Sequence, residues 1–191
     1  MNVRRAIAIC VAAAFFADPV SATEIEGVRF EKNLSVGDEQ LRLHGTGLLR
    51  YRVLIKGYVA ALYLSDSLGG EQTPRTVLAD TPRRLEIEYF WAIPAEGFAK
   101  ATVEGISRNT DRETFEGLRD RIERLNALYE DVEPGDRYAI TYLPGVGTEL
   151  ALNGRPLGVV EGADFSAALF AIWLGDEALD ESLRRQLLAS L

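Results

Sequence analysis

Arg50, Arg52, Lys56 and Tyr58 all fall in one short stretch, RYRVLIKGY. If that stretch is a strand without a bulge, alternation places all four on one face. Such a face can hold an oxyanion or a carboxylate. A guanidinium offers paired donors, an ammonium adds charge, and a phenol adds a neutral donor. The same pattern also suits cations that decorate a solvated sheet face.

Other chemistry is poorly supplied. The stretch TYLPGVGTELALNGRPLG contains Gly145-Val146-Gly147, which invites comparison with a phosphate loop. A phosphate loop leads from a strand straight into a helix N-terminus, whose N–H groups meet the anion. Here TELAL follows and alternates as a strand, and Asn153-Gly154 is a type I′ hairpin signal. The stretch therefore reads as a loop and a hairpin, and no cofactor is expected. His44 is the only histidine and Cys10 the only cysteine, so no metal set is expected. His44 fits a packed or hydrogen-bonded imidazole better than a base. Gly-x-Ser-x-Gly is absent, and no catalytic set is assigned.

Strands and helices must position these residues. Residues 25–30, 39–48, 50–64 and 84–91 read as strands, from their alternation and their β-branched and aromatic content. In 84–91, Leu85, Ile87, Tyr89 and Trp91 share one face, and Glu86 and Glu88 face water. Pro94 opens a helix over 95–108. Thr110-Asp111-Arg112-Glu113 has the capping-box pattern for a second helix. Phe115, Leu118, Ile122, Leu125 and Tyr129 carry that helix to about residue 130. Residues 137–143, 148–152 and 155–160 form a meander. Two further helices, 163–174 and 179–190, close the chain. The order predicts an α+β fold with a large, mostly antiparallel sheet.

The amino terminus reads MNVRR, AIAICVAAAFFA, DPVSA. A basic start, a short apolar run and a Val-Ser-Ala ending predict a signal peptide over 1–22, cleaved near Ala22. The apolar run is shorter than the roughly 20 residues that span a bilayer. The expected product is a periplasmic or secreted domain over 23–191, with no integral membrane segment. Removing Arg4, Arg5 and Asp18 takes the net charge from −8 to about −9. That acidity argues against a nucleic-acid partner, which needs a basic footprint, and against an anionic membrane surface.

Four stretches together resemble the bacterial branch of the chalcone isomerase-like family. They are GTGLLRYRVLIKGYVAALYLSD, LEIEYFWAIPAEGFAKATVEGI, GDRYAITYLPGVGTELALNGRPLG and GADFSAALFAIWLGDEALDESLRRQLL. The resemblance spans roughly residues 25 to 190. It implies an open-faced β-sandwich: a large antiparallel sheet with a helical layer on one face and a ligand cleft between them. Plant members cyclise chalcones, related plant members bind fatty acids, and many bacterial members look exported without a settled activity.

The family holds an anionic group with an arginine shortly after a Gly-x-Gly. Arg50 is the natural match, displaced by about one residue, and an ungapped alignment puts Thr46 there instead. Tyr58 falls where the isomerases carry threonine and the fatty-acid binders tyrosine. The polar pair of the isomerases' first helix is missing, since that region offers Phe98, Lys100 and Ser107. Ala171 and Ile172 stand where the isomerases have a small polar residue. Cyclisation depends on donors that stabilise a developing enolate, and most are absent.

The resemblance therefore implies an exported, non-catalytic protein that binds a small amphipathic ligand with an acidic head. Arg50 and Tyr58 would hold the head, and Phe98, Phe165, Leu169 and Trp173 would line the rest. The alternatives are an intramolecular lyase on an unknown substrate and a structural or partner-binding periplasmic protein, with its partners unspecified.

Overall fold

A computed structural model describes residues 22–51, 55–66 and 73–190. Residues 1–21, and with them the expected signal peptide up to Ala22, lie outside the described residues, as do Arg52 and its neighbours to residue 54.

The chain opens with a small antiparallel hairpin, β1 (Ala22–Ile25) and β2 (Val28–Glu31). Among the described residues, seven strands then form one sheet in sequence order, each antiparallel to its neighbours. They are β3 (Asn33–Val36), β4 (Glu39–Tyr51), β5 (Ile55–Ser65), β6 (Arg83–Tyr89), β7 (Arg137–Leu143), β8 (Gly147–Leu152) and β9 (Arg155–Val160). The helices are α1 (Pro74–Val77), α2 (Ala95–Asn109), α3 (Arg112–Asn126), α4 (Ala163–Leu174) and α5 (Glu181–Leu188). The expected α+β architecture is present.

Alternation divides the sheet's side chains between two cores. Tyr58, Ala60, Leu62 and Leu64 of β5 join Leu85, Ile87 and Tyr89 of β6 beneath α2, α3, α4 and α5. Val59, Ala61 and Tyr63 point the other way and pack with Leu41, Leu43 and Leu48 against Val28 and Phe30 of the β1–β2 hairpin. This hairpin corrects the expectation that Glu86 and Glu88 face water. Glu86 is buried and accepts from Arg84 Nε at 3.0 Å and Arg137 Nη1 at 3.1 Å. Arg137 also holds Glu88 at 2.7 Å and stacks over Phe30. Trp91 lies past the end of β6 and is exposed.

The residues expected as one strand, 50–64, belong to two. Arg50 and Tyr51 end β4, and β5 begins at Ile55. Leu49 pairs with Tyr58 but Arg50 pairs with Lys56, so Gly57 is the extra residue of a β-bulge. The bulge rotates Lys56 away from the face of Tyr58. A single-strand reading had no means of registering this, because periodicity does not reveal where a strand reverses.

Two helix boundaries also shift. Asp111, not Thr110, caps α3, and its carboxylate accepts from Thr114 N at 2.8 Å. The Thr110 hydroxyl is occupied behind it, donating to Ile106 O at 2.8 Å at the end of α2. The last turn of α3 closes at Asn126, which leaves Tyr129 in the segment that follows. The meander matches its expected boundaries closely. Asn153 and Gly154 both adopt positive φ, as a type I′ turn requires.

Space, rather than flexibility, explains Gly105. A Cβ there would stand 2.7 Å from Ile172 Cγ1, so glycine lets α2 approach α4. Gly105→Leu should lower stability by roughly 1–3 kcal/mol through overpacking, read as a lower urea midpoint at unchanged slope.

Candidate ligand-binding site

Of the four tyrosines that β5, β6 and β7 point toward the helices, three border one space: Tyr58 from β5, Tyr89 from β6 and Tyr138 from β7. Register explains the cluster. Tyr58 pairs with Tyr89, and Ile87 beside it pairs with Tyr138. Phe98 of α2 comes down onto them, with ring centres 5.2 Å from both Tyr89 and Tyr138. Tyr129 stacks on Phe98 at 5.4 Å. Edge-to-face contacts dominate the group, as ring quadrupoles favour.

These rings do not fill the space between sheet and helices. They enclose a chamber of about 270 Å³, completed by Ile93, Thr102, Ile140, Leu150, Ile172 and Trp173. That volume sits at the lower edge of the roughly 300–1,000 Å³ typical of small-molecule pockets. Ala101 and Leu179 are the exposed members of the wall. The chamber therefore meets solvent between α2 and the loop ahead of α5.

The polar groups of the wall are few and neutral. Trp173 Nε1 donates to the Tyr58 hydroxyl at 3.0 Å. Thr102 Oγ1 and Tyr129 Oη share a hydrogen bond at 2.9 Å. The Tyr138 hydroxyl is spent on the backbone of Glu130, donating to its carbonyl and accepting from its N–H, both at 2.8 Å. Among the described residues nothing hydrogen-bonds the Tyr89 hydroxyl, although the ring is 5% exposed. Burial raises the pKa of Tyr58 and Tyr89 far above the usual phenol value and pushes Tyr129 to about 12. All three stay protonated at physiological pH and can donate to a ligand oxygen.

The two sequence-predicted ligand residues are separated. Tyr58 lines the chamber, whereas Arg50 lies on the other face of the sheet, where it and Lys56 hold Glu26 of the β1–β2 turn at 3.4 and 2.5 Å. Thr46, the alternative position, pairs with Ala61 and shares that outer face. Register is the reason: Leu49, not Arg50, stands opposite Tyr58, so its neighbour Arg50 falls on the other face. The expected Arg50–Tyr58 clamp is therefore not assembled in this structure. Arg50→Ala should leave ligand affinity unchanged within about twofold by calorimetry, since an exposed ion pair on the far face contributes little.

Phe98 and Trp173 line the chamber as expected, but Phe165 and Leu169 are wholly buried core. Tyr89, Tyr129, Tyr138 and Thr102 were not anticipated as site residues. Of these, Tyr89 shares the apolar face that alternation over 84–91 predicts, and Tyr129 lies past Asn126, where its expected helix ends. A tyrosine at such a position reads as core until a space beside its ring is found.

His44 sits at a second bulge, between Leu43 and Gly45, and its Nε2 lies 3.1 Å from the carbonyl oxygen of Leu188. It anchors the end of α5 and is remote from the chamber. The glycines flanking Thr46 also serve α5. A side chain at Gly47 would collide with Leu183, and one at Gly45 with the backbone of Leu187.

The class of fold is thus an antiparallel sheet roofed by helices, with an apolar chamber between the two layers. The chain belongs to the chalcone isomerase-like family, whose model matches residues 22–189. No curated protein matches the sequence. Among solved structures, a fatty-acid binding protein from Arabidopsis thaliana is similar, with a TM-score of 0.70 and 16% identity. The similarity covers 88% of this chain and 96% of that one, and it supports the fold. Among the described residues, no helix is long and apolar enough to cross a membrane.

Proposed function

We propose that this protein is a non-catalytic carrier that holds a small amphipathic, fatty-acid-like molecule in the chamber under α2 and α4. The single observation that carries this reading is the chamber itself: a mostly apolar space of about 270 Å³ whose wall includes Tyr58, Tyr89 and Tyr129. A hydrocarbon body gains about 0.8 kcal/mol for each CH₂ it buries, so even a short chain repays entry. The plant fatty-acid binding protein of the same fold supports the ligand class.

Catalytic cyclisation is the weaker reading. It asks for donors aimed at a developing enolate, with charge nearby to stabilise it. The described wall offers neutral phenols, an indole and a threonine. Ring closure of naringenin chalcone faster than the spontaneous rate would favour the lyase over the carrier.

We further propose that residues 1–22 direct export and are removed. The product expressed in a Gram-negative host should then start at Thr23 by N-terminal sequencing and fractionate with the periplasm.

The test of binding is calorimetric titration of delipidated protein with decan-1-ol and with decanoic acid. Saturable, one-to-one binding of at least one of them is expected. No heat from either would refute the carrier reading.

A further inference from the structure

Among the described residues, the chamber wall holds no cation that could pair a negative charge. From β5, β6 and β7 the titratable groups facing it are Tyr58, Tyr89 and Tyr138. From the segment after α3 it is Tyr129, while α2 contributes Thr102 and α4 contributes Trp173. Among the described residues, no lysine, arginine or histidine lines it. The charge that acts on Tyr58 from the α5 side is the carboxylate of Asp180. Arg50, which could have balanced an anion, is held on the far face by Glu26.

From this geometry we infer that the site selects amphiphiles with an uncharged head: alcohols and the protonated form of carboxylic acids, rather than carboxylates. The inference rests on the carrier reading above and names its ligand class. An isolated carboxylate moved into an apolar site loses its hydration and here gains only neutral donors. A hydroxyl loses much less, and Tyr89 and Tyr58 can satisfy it. Tyr58 can do so while still accepting from Trp173, because a phenol both donates and accepts.

The experiment is the same titration carried through pH. Carboxylic acids have pKa values near 4 to 5, so between about pH 6 and pH 8 the neutral fraction falls about tenfold per pH unit. The buried phenols do not titrate in this range, and His44 lies outside the chamber, against α5. The apparent Kd of decanoic acid should therefore rise about tenfold per unit, while that of decan-1-ol stays constant. Tyr89→Phe should weaken decan-1-ol by about two- to tenfold, the worth of one neutral hydrogen bond. A decanoic acid Kd that changes less than about tenfold over the whole range would overturn the inference while leaving the carrier reading intact. Failure of both ligands to bind at any pH would overturn both.

Discussion

Arg83→Met should unfold at a much lower urea concentration than the wild type, with a loss of about 2–6 kcal/mol from buried acceptors left without their donor. Arg83 is 0% exposed, an unusual place for a guanidinium. Its Nη1 donates to the carbonyls of Val77 at 3.1 Å and Ala79 at 2.5 Å, and its Nη2 to Ser166 Oγ at 2.7 Å. The group lies between the rings of Tyr142 and Phe170, at 4.7 and 4.8 Å. Burial pulls its pKa down to about 10, and the neighbouring Tyr142 and Asp80 oppose that shift, so it stays charged at neutral pH. One side chain thereby ties the α1 turn, the start of β6 and the first turn of α4 together. Methionine fills much of the volume but removes the donor to the Val77 carbonyl and to Ser166, each costing about 1–3 kcal/mol, while the Ala79 carbonyl keeps the Thr81 N–H at 2.8 Å. Lysine keeps the charge without the planar fork and should recover only part of the loss. Equilibrium urea unfolding, followed by far-UV circular dichroism, measures both variants.

Ala101→Trp should abolish ligand binding, with at least a tenfold rise in Kd, while changing stability by less than about 1 kcal/mol. Ala101 is an exposed member of the chamber wall on α2, where the space meets solvent. An indole there occupies the entrance or folds into the chamber, and either competes with the ligand for a space of about 270 Å³. The residue is on a helix surface, so a larger side chain forces little of the core to move. Calorimetry reads affinity and the urea midpoint reads stability. Wild-type affinity in this variant would mean that the ligand sits elsewhere.

Much of the architecture is legible in the sequence because alternation and helical spacing report burial directly. The meander from Arg137 to Val160 and helix α4 show this, with boundaries at or next to those expected. What is not legible is register. Gly57 and His44 are bulge residues, and nothing in periodicity marks an extra residue in a strand. The division into two strands, one ending at Tyr51 and the next beginning at Ile55, is hidden the same way, because apolar and basic residues run on through the sequence. These features decide which cations share a face with Tyr58, so a clamp read from spacing places Arg50 beside a tyrosine that it does not meet. Tyr89 and Tyr138 fail to announce themselves for a different reason. Their faces are predictable, but whether a buried phenol packs against neighbours or borders a void depends on how closely α2 and α4 approach the sheet. That approach is set in part by Gly105 against Ile172.

The two tryptophans provide the most direct test of where a ligand sits. Trp173 lines the chamber and its indole N–H is bonded to Tyr58, while the indole N–H of Trp91 is bonded to the Lys56 carbonyl at the exposed end of the sheet. In a ¹H–¹⁵N spectrum, saturation with decan-1-ol should shift the Trp173 indole resonance and leave that of Trp91 in place. A saturable shift of Trp91 with Trp173 unmoved, or no shift of either, would contradict a ligand chamber beneath α2 and α4.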